Sequence, residues 1–213
     1  MTAARLVVWR HGRTAWNHTG RFQGQADVPL DEIGHLQAKR AAPVLAGFRP
    51  SRIMSSDLSR ARQTAAPLAE LTGLPVTEDA RLREIHVGSW EGLTSTKVAA
   101  LDPERAQRYF AGEDIRRSPT GETVAEVSLR VTQALTEVAE QGSEGDTVVV
   151  VMHGLAARVG VCRLVGFPEQ TWRLLGGMHN CGWISLTRHR TGHYWRIDDY
   201  NVTVTSEEAD PIS

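Results

Sequence analysis

Six consecutive residues, Thr147-Val148-Val149-Val150-Val151-Met152, are β-branched or apolar without a break. A strand with one face in water alternates polar and apolar; an unbroken one has to be covered on both faces. Such a strand belongs in the middle of a sheet with helices above and below it. A second run of the same character, Leu6-Val7-Val8-Trp9, stands near the start of the chain. Each run stops at an imidazole followed by glycine: Arg10-His11-Gly12 after the first, His153-Gly154 after the other. Ligands of open parallel sheets bind at the carboxyl ends of the strands. Two parallel strands would therefore bring both histidines to one edge.

The stretches between fit that frame. A helix is expected from about Asp31 to Ala46, with Ile33, Leu36, Ala41, Val44 and Leu45 as its apolar positions. A short strand follows at Arg52–Ser56. The next helix runs from about Leu58 to Thr72, with Ser56 or Asp57 as its N-cap and Gly73 as its stop. Pro75–Thr77 reads as another short strand. Trp16–Leu30 and Leu82–Gly92 read as loops, and Thr94–Arg117 as one or two short helices and an Arg-rich turn. A long helix to about Glu140 opens at Gly121-Glu122, with Val124, Val127, Leu129, Val131, Leu135 and Val138 apolar; another spans Leu155 to about Val165. Trp183–Thr187 and Tyr194–Ile197 would close the sheet as an edge hairpin. Strands alternating with helices imply a parallel sheet with crossovers.

At 213 residues, 41% of them apolar and 23% charged, the chain has the length and composition of one globular domain. Residues 1–204 are expected to form it, with 205–213 a disordered acidic tail. A net charge of −1 provides no global field to recruit nucleic acid or an anionic membrane, so neither is expected as a partner. Cys162 and Cys181 show no metal-ligand spacing and read as structural thiols of a reduced cytoplasmic protein. Met1–Arg5 leads straight into the first strand, with no signal segment or membrane span expected.

Four stretches then bear on one another. The first strand delivers Arg10 and His11, and the second helix brings Arg60 in its first turn. The loop after it carries Glu84, and the central strand delivers His153. Guanidinium groups match phosphate oxygens in fork geometry. A neutral imidazole can attack phosphorus, since its ordinary pKa near 6.5 leaves a lone pair at neutral pH. A second imidazole can stabilise the phosphoryl oxygens, and a carboxyl group can protonate a leaving alkoxide and then activate water. No metal or other cofactor is expected, because the cations come from the protein.

The motifs resemble those of the histidine phosphatase superfamily, the phosphoglycerate mutase-like proteins, over nearly the whole chain. Arg10-His11-Gly12 with Thr14 and Asn17 is similar to the family signature, and Arg21-Phe22-Gln23-Gly24-Gln25 to its phosphate-side loop. Ser56–Ala61 resembles the second Arg motif, Leu82–Gly88 with Trp90-Glu91-Gly92 the acid motif, and Met152-His153-Gly154 the second His motif. The resemblance implies a three-layer α/β sandwich with a mostly parallel sheet and helices on both faces. It implies a phosphohistidine on His11, a phosphate pocket of Arg10, Arg60 and His153, and Glu84 as acid and base. Asn17, Gln23, Gly24 and Gly154 would complete the phosphate contacts. The short spacing from Glu84 to His153 resembles the compact phosphatase branch. Leu175–Asn180 with Trp183 and Tyr194–Ile197 resembles actinobacterial members that include phosphatases of glucosyl-3-phosphoglycerate.

The function implied is metal-independent hydrolysis of a small phosphorylated metabolite, a phosphoglycerate or sugar-phosphate derivative. Phosphoglycerate mutase-type transfer and non-catalytic binding of a phosphate ligand are the alternatives. Arg13 is expected to add a cation at the mouth of the pocket, and Leu155 to narrow its floor. His86 reads as a loop-orienting residue, with substrate contact as the alternative. Arg116-Arg117 reads as a solvated pair and Arg62 as a surface cation; for Arg116-Arg117 and for His179 a ligand contact is the alternative. Trp90, Tyr109 and Phe110 are expected to pack under a cap, and an apolar edge face near Trp183 or Trp195 would serve a homodimer.

Overall fold

In the computed structural model, which describes residues 3–191 and 194–204, six strands form one sheet in the order β3-β2-β4-β1-β5-β6. The strands are β1 (Arg5–Arg10), β2 (Arg52–Ser55), β3 (Val76–Glu78), β4 (Thr147–Met152), β5 (Trp183–Arg188) and β6 (Trp195–Val202). Pairings among β1 to β4 are parallel; β5 joins β1 antiparallel and β6 closes the edge against β5. The expected tail over 205–213 lies outside the described residues.

The two apolar runs are the neighbouring central strands, paired in register from Arg5↔Thr147 to Arg10↔Met152. Alternate residues of each feed opposite layers. Val7, Trp9, Val149 and Val151 pack with Ala38, Ala41, Ala42 and Leu45 of α2 (Glu32–Ala46) and Ala61, Ala65 and Leu68 of α3 (Ser59–Thr72). Leu6, Val8, Val148, Val150 and Met152 pack on the other face. Their partners are Val127, Val131 and Leu135 of α6 (Val124–Glu140) and Ala156, Ala157 and Val161 of α7 (Gly154–Leu164). This is the three-layer sandwich. The helix that follows β1 and the helix that follows β4 lie on opposite faces, which opens a crevice at the carboxyl ends of both strands.

Several boundaries and faces depart from the sequence pattern. The apolar stripe of α2 is built from alanines, and Leu36 (48% exposed) and Val44 point outward, as does Leu129 on α6. Small side chains let α2 approach α3 and the sheet closely, so the bulkier residues are displaced to the rim. Leu58 is the N-cap of α3 and makes no side-chain cap bond. The two expected caps are used elsewhere: Asp57 accepts from Arg83 at 2.8 Å, and the Ser56 hydroxyl meets His153 at 2.9 Å. Within the expected Trp16–Leu30 loop, a short helix α1 (Ala15–His18) is held by a capping box between Thr14 and Asn17. The Thr94–Arg117 segment forms α4 (Ser95–Leu101) and α5 (Pro103–Phe110). Trp183 and Trp195 are buried inside the chain, so the apolar edge face expected there for a dimer does not exist at those residues. Phe110 is exposed rather than packed under the cap. Both cysteines are free and buried, and burial pushes the Cys162 thiol up to about 11.

The turn after β1 is locked to the start of α2. Asp31 caps α2 by accepting from Gly34 N at 2.8 Å, and its own N–H donates to the Arg13 carbonyl at 3.0 Å. Here Gly12 and Gly34 pass backbone to backbone: a Cβ on Gly12 would lie 2.5 Å from the Gly34 carbonyl oxygen, and one on Gly34 would run into the Arg13 carbonyl. Neither contact can relax by moving a flexible side chain. Gly34→Ala is therefore expected to lower unfolding stability by about 1–3 kcal/mol, the range for overpacking a filled site. Chemical denaturation of the wild type and the variant measures it, and an unchanged midpoint would contradict this packing.

Candidate active site

The β1–β4 register decides the centre of the site. His11 follows the last paired residue of β1 and donates its N–H to the Met152 carbonyl at 3.0 Å; His153 is the residue after Met152. The two rings lie 5.1 Å apart, tilted by 60°. Arg60 enters from the first turn of α3. Its Nε donates to Nδ1 of His153 at 3.2 Å, and its terminal nitrogens donate to the carbonyls of Ala26 (2.7 Å) and Gly24 (2.8 Å). Arg10 donates from Nη1 to the Met178 carbonyl. Glu84 caps α7. Its oxygens accept from the backbone N–H groups of Leu155 and Ala156, each at 3.1 Å, and of Ile85 at 2.8 Å.

These contacts set the tautomers. Nδ1 of His11 lies 2.7 Å from the Gly12 carbonyl oxygen. A carbonyl can only accept, so Nδ1 carries the proton and Nε2 carries the lone pair. His153 receives the Arg60 N–H on Nδ1, so its proton is on Nε2, which lies 2.9 Å from the Ser56 hydroxyl. Burial holds the pKa of both imidazoles well below the ordinary value, and the neighbouring Arg60 cation pushes each further in the same direction. Both are neutral at neutral pH. Burial also pulls Arg60, 1% exposed, down to about 10, against the opposing charge of Glu84, and it remains a cation.

A cleft of about 370 Å³ opens here. Arg10, His11, Asn17, Gln23, Gly24, Arg60, Glu84 and Gly154 all line it, as the sequence motifs anticipate. Asn17 and Gln23 are fixed through Thr14: its backbone N–H donates to the Asn17 side-chain carbonyl at 3.2 Å, and its hydroxyl donates to the Gln23 side-chain carbonyl at 3.0 Å. Gly24 has φ +55°, which aims its carbonyl at Arg60 and favours glycine. His153 is different. It is fully buried behind His11 and Arg60, outside the cleft lining, with a partner on each ring nitrogen.

Other expectations shift. Arg13 does not line the cleft; its Nε is paired with Asp31 at 2.9 Å. His179 and His86 are absent from the lining, and His86 approaches Glu91 at 3.4 Å. Arg62 faces Glu78 at the surface. Leu155 does line the cleft. The Arg116-Arg117 pair separates: Arg116 pairs with Glu126, whereas Arg117 is buried in the cleft wall, 4.8 Å over the ring of Tyr109. Tyr109, expected only as a packing residue, and Met178, from the Leu175–Asn180 stretch, also line the cleft, and so does Arg158, which no motif singles out. Arg158 had a legible signal, standing four residues after Gly154 and so one helical turn along the same face. Among the described residues, no three His, Cys, Asp or Glu side chains gather as a metal-binding group. None of the described helices is long and apolar enough to cross a membrane.

Two neutral imidazoles beside two arginines at the switch point of a doubly wound sheet define a site for phosphoryl chemistry. The family model of the histidine phosphatase superfamily (branch 1) matches residues 6–203. The chain is 38% identical to a glucosyl-3-phosphoglycerate phosphatase of Mycolicibacterium vanbaalenii, over 95% of this chain and 96% of that one. It is 36% identical to a probable phosphoglycerate mutase of Yersinia enterocolitica, over 84% and 81%. The solved structure of a mycobacterial glucosyl-3-phosphoglycerate phosphatase with VO3 superimposes with a TM-score of 0.86 at 39% identity, covering 94% of this chain and all of that one. The chain belongs to the histidine phosphatase superfamily, and it is a phosphoric monoester hydrolase.

The neutral, buried histidines have a consequence for stability. Their folded pKa values lie below the unfolded value near 6.5, so below that pH the unfolded chain binds protons the folded chain refuses. Stability is full above about pH 6.5 and falls as pH drops through the window beneath it. The denaturation midpoint of the wild type is expected to fall between pH 7.5 and 5.5, and to fall less in His11→Asn. Equal pH slopes in the two proteins would refute a buried neutral His11.

Proposed function

We propose that the protein hydrolyses phosphate monoesters through a covalent intermediate on His11, with the phosphoryl group held by Arg10 and Arg60 and by the side-chain amides of Asn17 and Gln23. The observation that carries this reading is the 2.7 Å contact of His11 Nδ1 with the Gly12 carbonyl, which turns the Nε2 lone pair to the cleft among the cations. A nucleophile that is neutral because burial makes it so needs no separate base. Nε2 attacks phosphorus, the N–P bond forms and the P–O bond to the alcohol breaks, while Glu84 delivers a proton to the departing alkoxide. Glu84 then takes a proton from water, the hydroxide attacks phosphorus, and the N–P bond breaks to release phosphate and neutral His11. The guanidinium groups stabilise the equatorial oxygens without moving. His153 acts from behind by orienting Arg60. In this scheme the protein supplies the positive charge, and the reaction is metal-independent.

The substrate we assign is a small phosphorylated sugar acid of the glucosyl-3-phosphoglycerate kind. Two things support it: the names of the relatives, and a second chamber of about 750 Å³ that shares Tyr109, Arg117, Leu155 and Arg158 with the cleft and leaves room beyond the phosphate for a sugar. We further assign a single catalytic domain ending near residue 204, acting in the cytoplasm on a free metabolite.

His11→Ala should lose roughly 10³-fold or more of its turnover of p-nitrophenyl phosphate. A wild-type sample quenched in alkali during turnover should carry phosphohistidine, and the variant none. Glu84→Gln should slow an alkyl ester such as 3-phosphoglycerate by about 10²-fold or more, and the activated aryl ester far less. Equal losses on both esters would remove Glu84 from the acid role. From 3-phosphoglycerate the expected product is free phosphate; accumulation of 2-phosphoglycerate instead would make the protein a mutase.

A further inference from the structure

The loop that carries Glu84 is short of regular structure. Between Leu82 and Gly88 the chain forms neither helix nor strand, so its carbonyls have no ladder to join. One side chain from outside the loop takes their place in three bonds. Arg130, on α6, donates from Nη1 to the carbonyls of Arg81 at 2.8 Å and Arg83 at 2.6 Å, and from Nη2 to the carbonyl of Glu84 itself at 2.9 Å.

The rest of the guanidinium goes to Glu122. Nε donates to Oε1 and Nη2 to Oε2, both at 2.8 Å. A guanidinium carries five N–H groups in one plane, and here all five are used. Glu122 grips the same loop in turn. Its Oε2 accepts from the His86 N–H at 2.8 Å, and its own N–H donates to the His86 carbonyl at 2.8 Å. The Arg130 and Glu122 side chains are only 19% and 21% exposed, and neither lines the cleft.

The choice of carbonyls matters for the acid. Those of Arg83 and Glu84 belong to the two peptide planes that meet at the Glu84 Cα. A residue has only two soft backbone dihedrals, so holding both planes fixes the direction in which its side chain leaves. One rigid fork holds both planes here. Gln25, from the phosphate-side loop, donates to the Glu84 carbonyl as well, at 3.1 Å. The carboxyl group is then set against the N–H groups of Leu155 and Ala156 at the mouth of α7, inside the cleft that His11 lines.

We propose that Arg130, seated by Glu122, is a positioning residue for the general acid: its fork aims Glu84 at the leaving-group oxygen without touching the substrate, so that proton delivery depends on it and phosphate binding does not. This rests on the acid role assigned to Glu84 above. Proton transfer needs the donor at hydrogen-bond distance from the departing oxygen, and a small misplacement slows it steeply. An alcohol that leaves readily as an anion needs little of that proton, whereas a basic alkoxide needs all of it. A guanidinium that merely held the fold together would affect every ester alike.

The test uses p-nitrophenyl, phenyl and benzyl phosphate, which are close in shape and whose leaving oxygens are increasingly basic. Their kcat/KM values cover the step in which the alcohol departs. Arg130→Lys keeps the positive charge, which also reaches His153 after the larger effects of burial and Arg60. It removes the fork, because an ammonium on a flexible stem cannot hold two peptide planes at once. Benzyl phosphate should slow by about tenfold or more in this variant, and p-nitrophenyl phosphate by no more than about threefold. In a Glu84→Gln background, Arg130→Lys should slow benzyl phosphate by less than about twofold further, since both changes remove the same proton delivery. Glu122→Gln keeps the shape of the partner and should shift the three esters in the same direction; it decides the matter if Arg130→Lys does not fold. Equal losses on all three esters, no loss on any, or a full additional loss in the double variant would overturn the proposal. If Glu84→Gln is itself indifferent to the leaving group, the acid reading fails and this inference falls with it. If Glu84→Gln discriminates among the esters and the Arg130 and Glu122 variants do not, only this inference fails.

Discussion

The site depends on one hydrogen-bond register. β1 and β4 pair residue for residue up to Arg10↔Met152, and the next backbone bond runs from His11 N to the Met152 carbonyl. Side chains in parallel strands alternate faces, so a slip of one residue would send every valine of β4 into the opposite core layer, against helices shaped for its neighbour, and would carry His153 away from His11. The packing of two different layers thus favours this register, and the register sets the two imidazoles 5.1 Å apart. Core packing and active-site geometry are the same constraint seen at two places along a strand.

Charge is organised around that point in layers. Burial keeps His11 and His153 neutral, and Arg60 reinforces this while donating to His153. Two neutral rings tolerate a guanidinium in contact, where an imidazolium would repel it. Glu84 satisfies free N–H groups that open α7, so its carboxyl group is held by backbone in the same cleft that His11 lines. The same helix therefore orients the acid residue at its first turn and presents Arg158 at its second. One rigid element spaces the reacting end of the cleft from the outer chamber.

Support for the phosphate end comes from backbone as much as from side chains. Gly12 N donates to the Thr64 hydroxyl at 3.0 Å, Asn180 donates to the His11 carbonyl at 3.1 Å, and Gly12 lies directly against Gly34. These contacts come from α3, the β5 approach and α2, so three separate regions hold the loop that carries His11. A nucleophile on a turn after a strand needs such bracing, because its attack geometry tolerates little displacement.

The sequence by itself determined the doubly covered sheet, the two histidine-bearing strand ends, and the order of helices between them. Those features are written as local periodicity, in Leu6–Trp9 and Thr147–Met152, and as short motifs around Arg60 and Glu84. Local patterns could not rank the members of a cluster. Arg13 and Arg117 both read as spare cations, yet Asp31 captures one and the cleft wall takes the other. His153 and His11 carry similar motifs, but only packing puts one on the surface of the cleft and the other behind it. Leu36 looked buried until the alanines of α2 took the contact with α3. In each case the outcome rests on which partner arrives from a distant part of the chain, and burial, counter-ions and close backbone passages are properties of the assembled layers alone.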